Sequence, residues 1–343
     1  MSATRTCTLD GVRFWRHDLV GCLWTSAGTL LDFHGAPVLE TLGAAWGFLH
    51  LPQDLRREEY YYPCRPGASL WEAIAPYHPI SSKWHEPAGD DEAWSEVRDE
   101  VLAGRPVICA VDNFDLPFRP AYQDVHTNHL SIVYGFDEDR GTVRVLDAVP
   151  PRFDGDIKIS ELMAARGSGN PLLHDRDMFF TNAPIANRWL EVSIDADDFP
   201  AFTPDHVRSV IRRNVEGFRA GEIADGYVGL EGELAYLRDV IARLREGEEI
   251  WEELFLVAGA VLANTALHAD WLALAGRQFG IAELSEVGRE VERVAHHWST
   301  VRIMSVLTRN GAVDWQRLDD RITALHHDHV RVVGELERLL RRI

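Results

Sequence analysis

Five consecutive segments after residue 203 repeat their apolar residues at helical spacing, and this most constrains the fold. They are Pro204–Gly217, Gly232–Arg245, Ile250–Leu274, Leu284–Leu307 and Asp314–Leu340. Within the fourth, Leu284, Val287, Val291, Val294, Trp298 and Val301 form one stripe. Such stripes must be buried against one another, so this half predicts a helical bundle. The longest apolar stretch, Leu254 to Gly276, contains His268 and Asp270 and follows Glu252 and Glu253, which marks a buried helix rather than a membrane span.

The first half reads differently, mixing short helices with strands. Cys22 to His34 carries Leu23, Ala27, Leu30 and Leu31 at helical spacing and ends at Gly35. Helices are also expected at Val38–Trp46, Ser69–Tyr77 and Asp90–Ala103, the last with an acidic first turn. Val107–Val111 reads as a buried strand, and His129–Gly135 with Thr142–Asp147 as a hairpin turning at Asp137–Gly141. The stretch Asn187–Thr203 gives a last strand and a Pro-punctuated linker. The expected class is α+β, with domains at 1–195 and 196–343.

Composition narrows the function. The net charge of −19 argues against nucleic acid and anionic membranes as partners and suits an amine-bearing substrate. Lys83 and Lys158 are the only lysines among 343 residues, which reads as a compositional bias rather than a binding device. The four cysteines, Cys7, Cys22, Cys64 and Cys109, form no CxxC pair, and the N-terminal residues carry no apolar signal region. A cytoplasmic setting with reduced thiols is expected. No glycine-rich phosphate loop is present, so nucleotide chemistry is not expected.

Cys22 follows Gly21 at a helix start, where unpaired N–H groups and the helix dipole favour thiolate; a small buried helix residue is the alternative. His129 opens an apolar strand and Asp147 closes its partner, so the hairpin brings an imidazole and a carboxylate nearly level. Thiol, base and orienting acid together read as a nucleophilic triad. His126 and His129, three apart, and the histidines at 296, 297, 326, 327 and 329 raise metal sites, but neither set has ligand spacing that favours one over packed or solvated histidines. Trp24, two residues after Cys22, and Tyr60 to Tyr62 offer either an acyl pocket or core packing. Arg208, Arg212, Arg213 and Arg219 form a basic run, readable as a solvated face or a docking surface for an acidic partner.

The segment GCLWTSAGTLLDFHG resembles the cysteine motif of the butirosin biosynthesis H-like family. These are papain-like enzymes that include an acyl carrier protein:aminoglycoside acyltransferase. GRPVICAVDNFDLPF, Tyr122 and HLSIVYGFDEDRGTVRVLD are similar to that family's central stretch, and the histidine strand is similar to that of bacteriocin-leader peptidases. The second half resembles the helical domain that follows in many members. The resemblance implies a papain-like domain followed by an all-α domain. It implies Cys22 as the residue acylated from a thioester, His129 as base, Asp147 as its orienting group, and the Cys22 N–H as part of the oxyanion hole. Asp112, Asn113 and Tyr122 would line the substrate cleft beside Gly21 and Trp24, with Asp112 holding an amine; turn capping is the alternative for Asp112 and Asn113. The stretch FWRHDLVG lacks the glutamine common before the cysteine of papain-like proteases, leaving Arg16, His17 or a backbone amide as the second oxyanion donor.

The expected activity is acyl transfer from an acyl or peptidyl carrier protein to a small amine in antibiotic biosynthesis. No cofactor is implied beyond the donor's phosphopantetheine arm, and no metal. The same triad would serve a peptidase, an amidase or a lactam-forming cyclase. A non-catalytic scaffold is the reading from another class, and a homodimer is left open.

Overall fold

The computed structural model describes residues 4–50, 68–177, 181–223, 226–311 and 314–342. The chain begins with β1 (Thr6–Thr8), α1 (Cys22–Phe33), α2 (Val38–Leu42), β2 (Leu49–His50) and α3 (Leu70–Ile74). Next come β3 (Ile80–His85), α4 (Asp90–Leu102), β4 (Val107–Asp112), β5 (Asn128–Asp137), β6 (Thr142–Asp147), β7 (Phe153–Lys158), α5 (Ile159–Gly167) and β8 (Trp189–Ile194). The last part holds α6 (Pro204–Arg219), β9 (Glu222–Ile223), β10 (Gly226–Val228), α7 (Gly229–Arg245), α8 (Trp251–Phe279), α9 (Ala282–Arg309) and α10 (Trp315–Leu340). The class is therefore α+β. Expected Tyr60–Tyr62 and Cys64 lie outside the described residues.

Contacts divide the chain into two compact units, residues 1–36 with 81–194, and residues 37–80 with 195–343. In the first unit, β4, β5, β6 and β7 pair antiparallel in succession. β8 lies on the other edge of β4 with β3 outside it, and β1 pairs with the far end of β5. Val107, Cys109, Val111, Val133, Val143 and Val145 pack with Val97 and Val101 of α4 and Leu162 and Ala165 of α5. Burying these branched side chains gives the sheet a rigid apolar face. The last strand expected within Asn187–Thr203 is β8, which lies between β3 and β4.

The helical unit contains the five expected segments, each extended or trimmed by a few residues. Thr203 caps α6 by accepting from the His206 N–H, and Asp314 caps α10 from the Arg317 N–H. α8 and α9 form a tight hairpin in which small residues allow close approach: a Cβ on Gly288 would stand 3.0 Å from the Ala269 carbonyl oxygen. α8 is long and apolar enough to cross a membrane, but two-thirds of its most apolar stretch is buried within the protein, as in a core helix.

One boundary needs correction. Residues 37–80 were expected to belong with the first domain but belong to the helical unit. The reason is Trp46. Its ring stacks on His268 and His329 and meets the edge of Phe218. Its Nε1 donates to the Thr265 hydroxyl, and the neighbouring Gly43 and Ala44 carbonyls accept from His268 and Asn214. An aromatic side chain and two satisfied carbonyls anchor the excursion.

Candidate active site

Cys22 is the first residue of α1, and Gly21 before it is extended, with φ −92° and ψ −169°. No side chain caps this end and no acidic residue lies in its first turn. The first intrahelical bond runs from Thr25 N–H to the Gly21 carbonyl, so the backbone N–H groups of the first turn point out of the helix end beside Cys22. Positive backbone potential therefore gathers beside a half-buried thiol. A Cβ on Gly21 would meet nothing within 4 Å, so packing does not demand glycine there and the space beside the thiol is open.

His129 and Asp147 meet because of a β-bulge. Near the turn, Asp137 faces Thr142 and Gly135 faces Arg144; past it, Val133 faces Val145 and Ile132 faces Leu146. The extra residue is Tyr134, whose hydroxyl is held between Arg144 of β6 and Asp154 of β7. In the shifted register Asp147 falls opposite Ser131, on the same face as His129 two residues away. Without the bulge Asp147 would oppose Ile132 and point to the other face. The hairpin thus supports the expected pairing diagonally rather than level.

His129 Nε2 lies 2.8 Å from Asp147 Oδ2. The remaining nitrogen, Nδ1, is left for the Cys22 side chain, which hydrogen-bonds to this histidine. Burial disfavours the imidazolium, but the charge and hydrogen bond of Asp147 and the Cys22 side chain prevail, pushing His129 up to about 9. Asp147 is buried too, which would raise its pKa. His129, Arg119 and the Val149 N–H outweigh burial and hold it below the usual carboxylate range. Sequence reasoning missed Arg119. Its Nη1 donates to Asp147 Oδ2 at 3.2 Å and to the Val149 carbonyl at 3.1 Å. A lone arginine in the apolar run Leu116–Pro120 was the only sequence signal.

Asp112 and Asn113 turn away from this role. Asp112 is fully buried: Oδ1 accepts from the Phe114 and Thr127 N–H groups, and Oδ2 from Ser168 and His126. With both oxygens engaged, it caps the turn after β4, the alternative that its sequence position also offered. Asn113 is buried and donates to the Thr127 hydroxyl. His126 and His129 therefore serve different carboxylates, and among the described residues no three His, Cys, Asp or Glu side chains are grouped to hold a metal. Trp24 is 5% exposed, inside α1's packing face, whereas Tyr122 is an exposed turn residue. Of the expected second oxyanion donors, Arg16 is exposed beside Asp18, and His17 Nδ1 accepts from the Leu19 N–H.

A thiol at a helix start, an imidazole beside it and a buried carboxylate behind that imidazole can perform nucleophilic acyl chemistry. Iodoacetamide at neutral pH is expected to modify Cys22 ahead of Cys7 and Cys109, as read by peptide mapping. Cys109 is fully buried, with its thiol pushed up by burial, and should react only on unfolding. Equal labelling of Cys109 in the folded protein would contradict this.

Residues 21–148 match the family model described as Butirosin biosynthesis protein H, N-terminal. No curated protein matches the chain. The family match spans Cys22, Arg119, His129 and Asp147 and begins one residue before the thiol.

Proposed function

From the match of residues 21–148 to the butirosin biosynthesis protein H family, we propose that the chain is a cysteine acyltransferase of papain-like type acting in antibiotic biosynthesis. The donor in this reading is an acyl thioester on the phosphopantetheine arm of a carrier protein, and the acceptor is a small amine. The observation that carries it is the hydrogen-bonded series Cys22–His129–Asp147 at the start of α1. The net charge of −19 favours a cationic acceptor over an anionic one, and exposed Arg212 and Arg213 on α6 offer a basic surface to an acidic carrier. Among the described residues Cys7, Cys22 and Cys109 are free thiols, which suits a reducing cytoplasm.

The chemistry follows from the arrangement. His129, pushed up to about 9, takes the Cys22 thiol proton as the sulfur attacks and holds it for the leaving group. Cys22 Sγ attacks the thioester carbonyl, and the oxyanion that forms is stabilised by backbone N–H groups at the start of α1, that of Cys22 first. Collapse breaks the bond to the pantetheine sulfur, which leaves with the His129 proton, and an acyl-Cys22 remains. The incoming amine then attacks that carbonyl. Neutral His129 takes its proton, the amide forms and Cys22 leaves as thiolate. Asp147 holds the imidazole in one tautomer throughout.

Intact-protein mass spectrometry after mixing with a panel of acyl-pantetheine thioesters tests this. A mass increase equal to the acyl group, absent in Cys22→Ala and discharged by an amine, is the expected result. No adduct with any thioester would reject the reading, and discharge by water at the same rate with or without amine would make the protein a hydrolase.

A further inference from the structure

We propose that Arg119 is a positioning residue of the Cys22–His129–Asp147 series: it fixes the Asp147 carboxylate and restrains the basicity of His129 through their shared oxygen. The proposal deepens the acyltransferase reading and rests on it for its functional meaning.

The geometry is a closed ring. Arg119 Nη1 donates both to Asp147 Oδ2 and to the Val149 carbonyl, while the Val149 N–H donates to Asp147 Oδ1. Oδ1 is thereby held by the Val149 N–H and Oδ2 by Arg119, and His129 Nε2 reaches Oδ2, the oxygen Arg119 also holds. The guanidinium side chain is 10% exposed and Asp147 1%. Its position is set by its neighbours in the connection between β4 and β5. Leu116 is fully buried, and Phe118 stacks at 4.0 Å on Phe153, which pairs with Asp147 across β6 and β7. The Arg119 N–H donates to the Leu116 carbonyl.

Such a site has two consequences. A carboxylate fixed through both oxygens cannot swing away from His129, so the ring keeps its aim at Cys22. A second cation on Oδ2 also draws negative charge from the oxygen that supports the imidazolium, so His129 holds its proton less tightly than against a free carboxylate. Among the described residues, the titratable groups acting on His129 include Asp147 from β6 and Cys22 from α1, with Arg119 behind Asp147.

The test follows the His129 ring resonances by NMR against pH in the intact protein and in Arg119→Gln and Arg119→Lys, with His129→Gln giving the assignment. Arg119→Gln is expected to move the His129 midpoint upward by about half to one pH unit, because a cation near the imidazole is removed. Arg119→Lys, which keeps the charge, should return it towards the parent value. An unchanged midpoint in Arg119→Gln overturns the proposal, as does an Arg119→Lys midpoint that matches Arg119→Gln. If Arg119→Gln does not fold, the Arg119→Lys midpoint must lie within a few tenths of the parent's or the proposal fails. This readout needs no acylation. A chain that never forms acyl-Cys22 yet shows the shift keeps the positioning role and loses only the acyltransferase reading.

Discussion

Replacing His129 with alanine is expected to slow acylation of Cys22 by roughly a hundredfold to ten-thousandfold, the usual contribution of a positioned general acid–base group. The measurement is the single-turnover rate of acyl-enzyme formation by mass spectrometry. Its pH dependence should separate the roles. In the parent, burial pulls the His129 midpoint down, but Asp147 and Cys22 push it up to about 9, so the leaving sulfur can receive a proton throughout the neutral range. Acylation should hold to near that pH and decline above it as the imidazolium is lost. Asp147→Asn removes the largest influence opposing burial on His129 and leaves only Cys22 against it. Its midpoint should fall below the ordinary value of 6.5, and the loss of acylation should be greatest at neutral and alkaline pH. Alanine at 129 with a rate and profile like the parent's would show that His129 takes no part.

How much of this site the sequence disclosed depends on the range of the interactions that form it. Cys22 at a helix start was legible because Gly21 and the spacing of Leu23, Ala27, Leu30 and Leu31 lie within four turns of chain; the helix found is Cys22–Phe33. The hairpin was legible for the same reason. The face on which Asp147 emerges was not, because it depends on the bulge at Tyr134, and the groups holding that bulge come from two other strands. Arg119 was invisible since it reaches Asp147 across 28 residues of chain and bonds a backbone carbonyl that no pattern marks. Asp112 looked like a cleft residue because an acidic side chain after a buried strand has the same pattern whether it binds a ligand or caps a turn. Only Ser168 and His126, distant in sequence, decide it.

The helical unit follows the same rule. Periodicity and the caps at Thr203 and Asp314 are local, and the five segments were read closely. That residues 37–80 belong to this unit rests on Trp46 finding His268 and His329, more than two hundred residues away. An aromatic in a segment of mixed pattern announces burial but not its destination.

Glu233→Ala is expected to destabilise the helical unit by about 3–5 kcal/mol, the cost of breaking a buried charge pair by deleting one partner. Glu233 is fully buried, yet both its oxygens are used: Oε1 lies 3.0 Å from His326 Nδ1, and Oε2 bonds His329 Nδ1. Alanine leaves two imidazoles without their acceptor. One of them, His329, is 1% exposed and stacked on Trp46, so water cannot replace the carboxylate without disturbing the ring packing. Urea unfolding followed by circular dichroism and Trp fluorescence measures the loss, and Glu233→Gln, which keeps one acceptor oxygen, should lose less than alanine. The sign of the pH dependence follows from the depressed carboxyl. Burial raises its pKa, but the two histidines pull it below the ordinary 4.5. The stabilisation is therefore fully present above pH 4.5 and disappears as pH falls through the folded-state value, so the parent and Glu233→Gln should converge in acid. A penalty below about 1 kcal/mol for alanine at neutral pH would mean that the two histidines find other acceptors, and the charge at Glu233 would then count for specificity of packing rather than for stability.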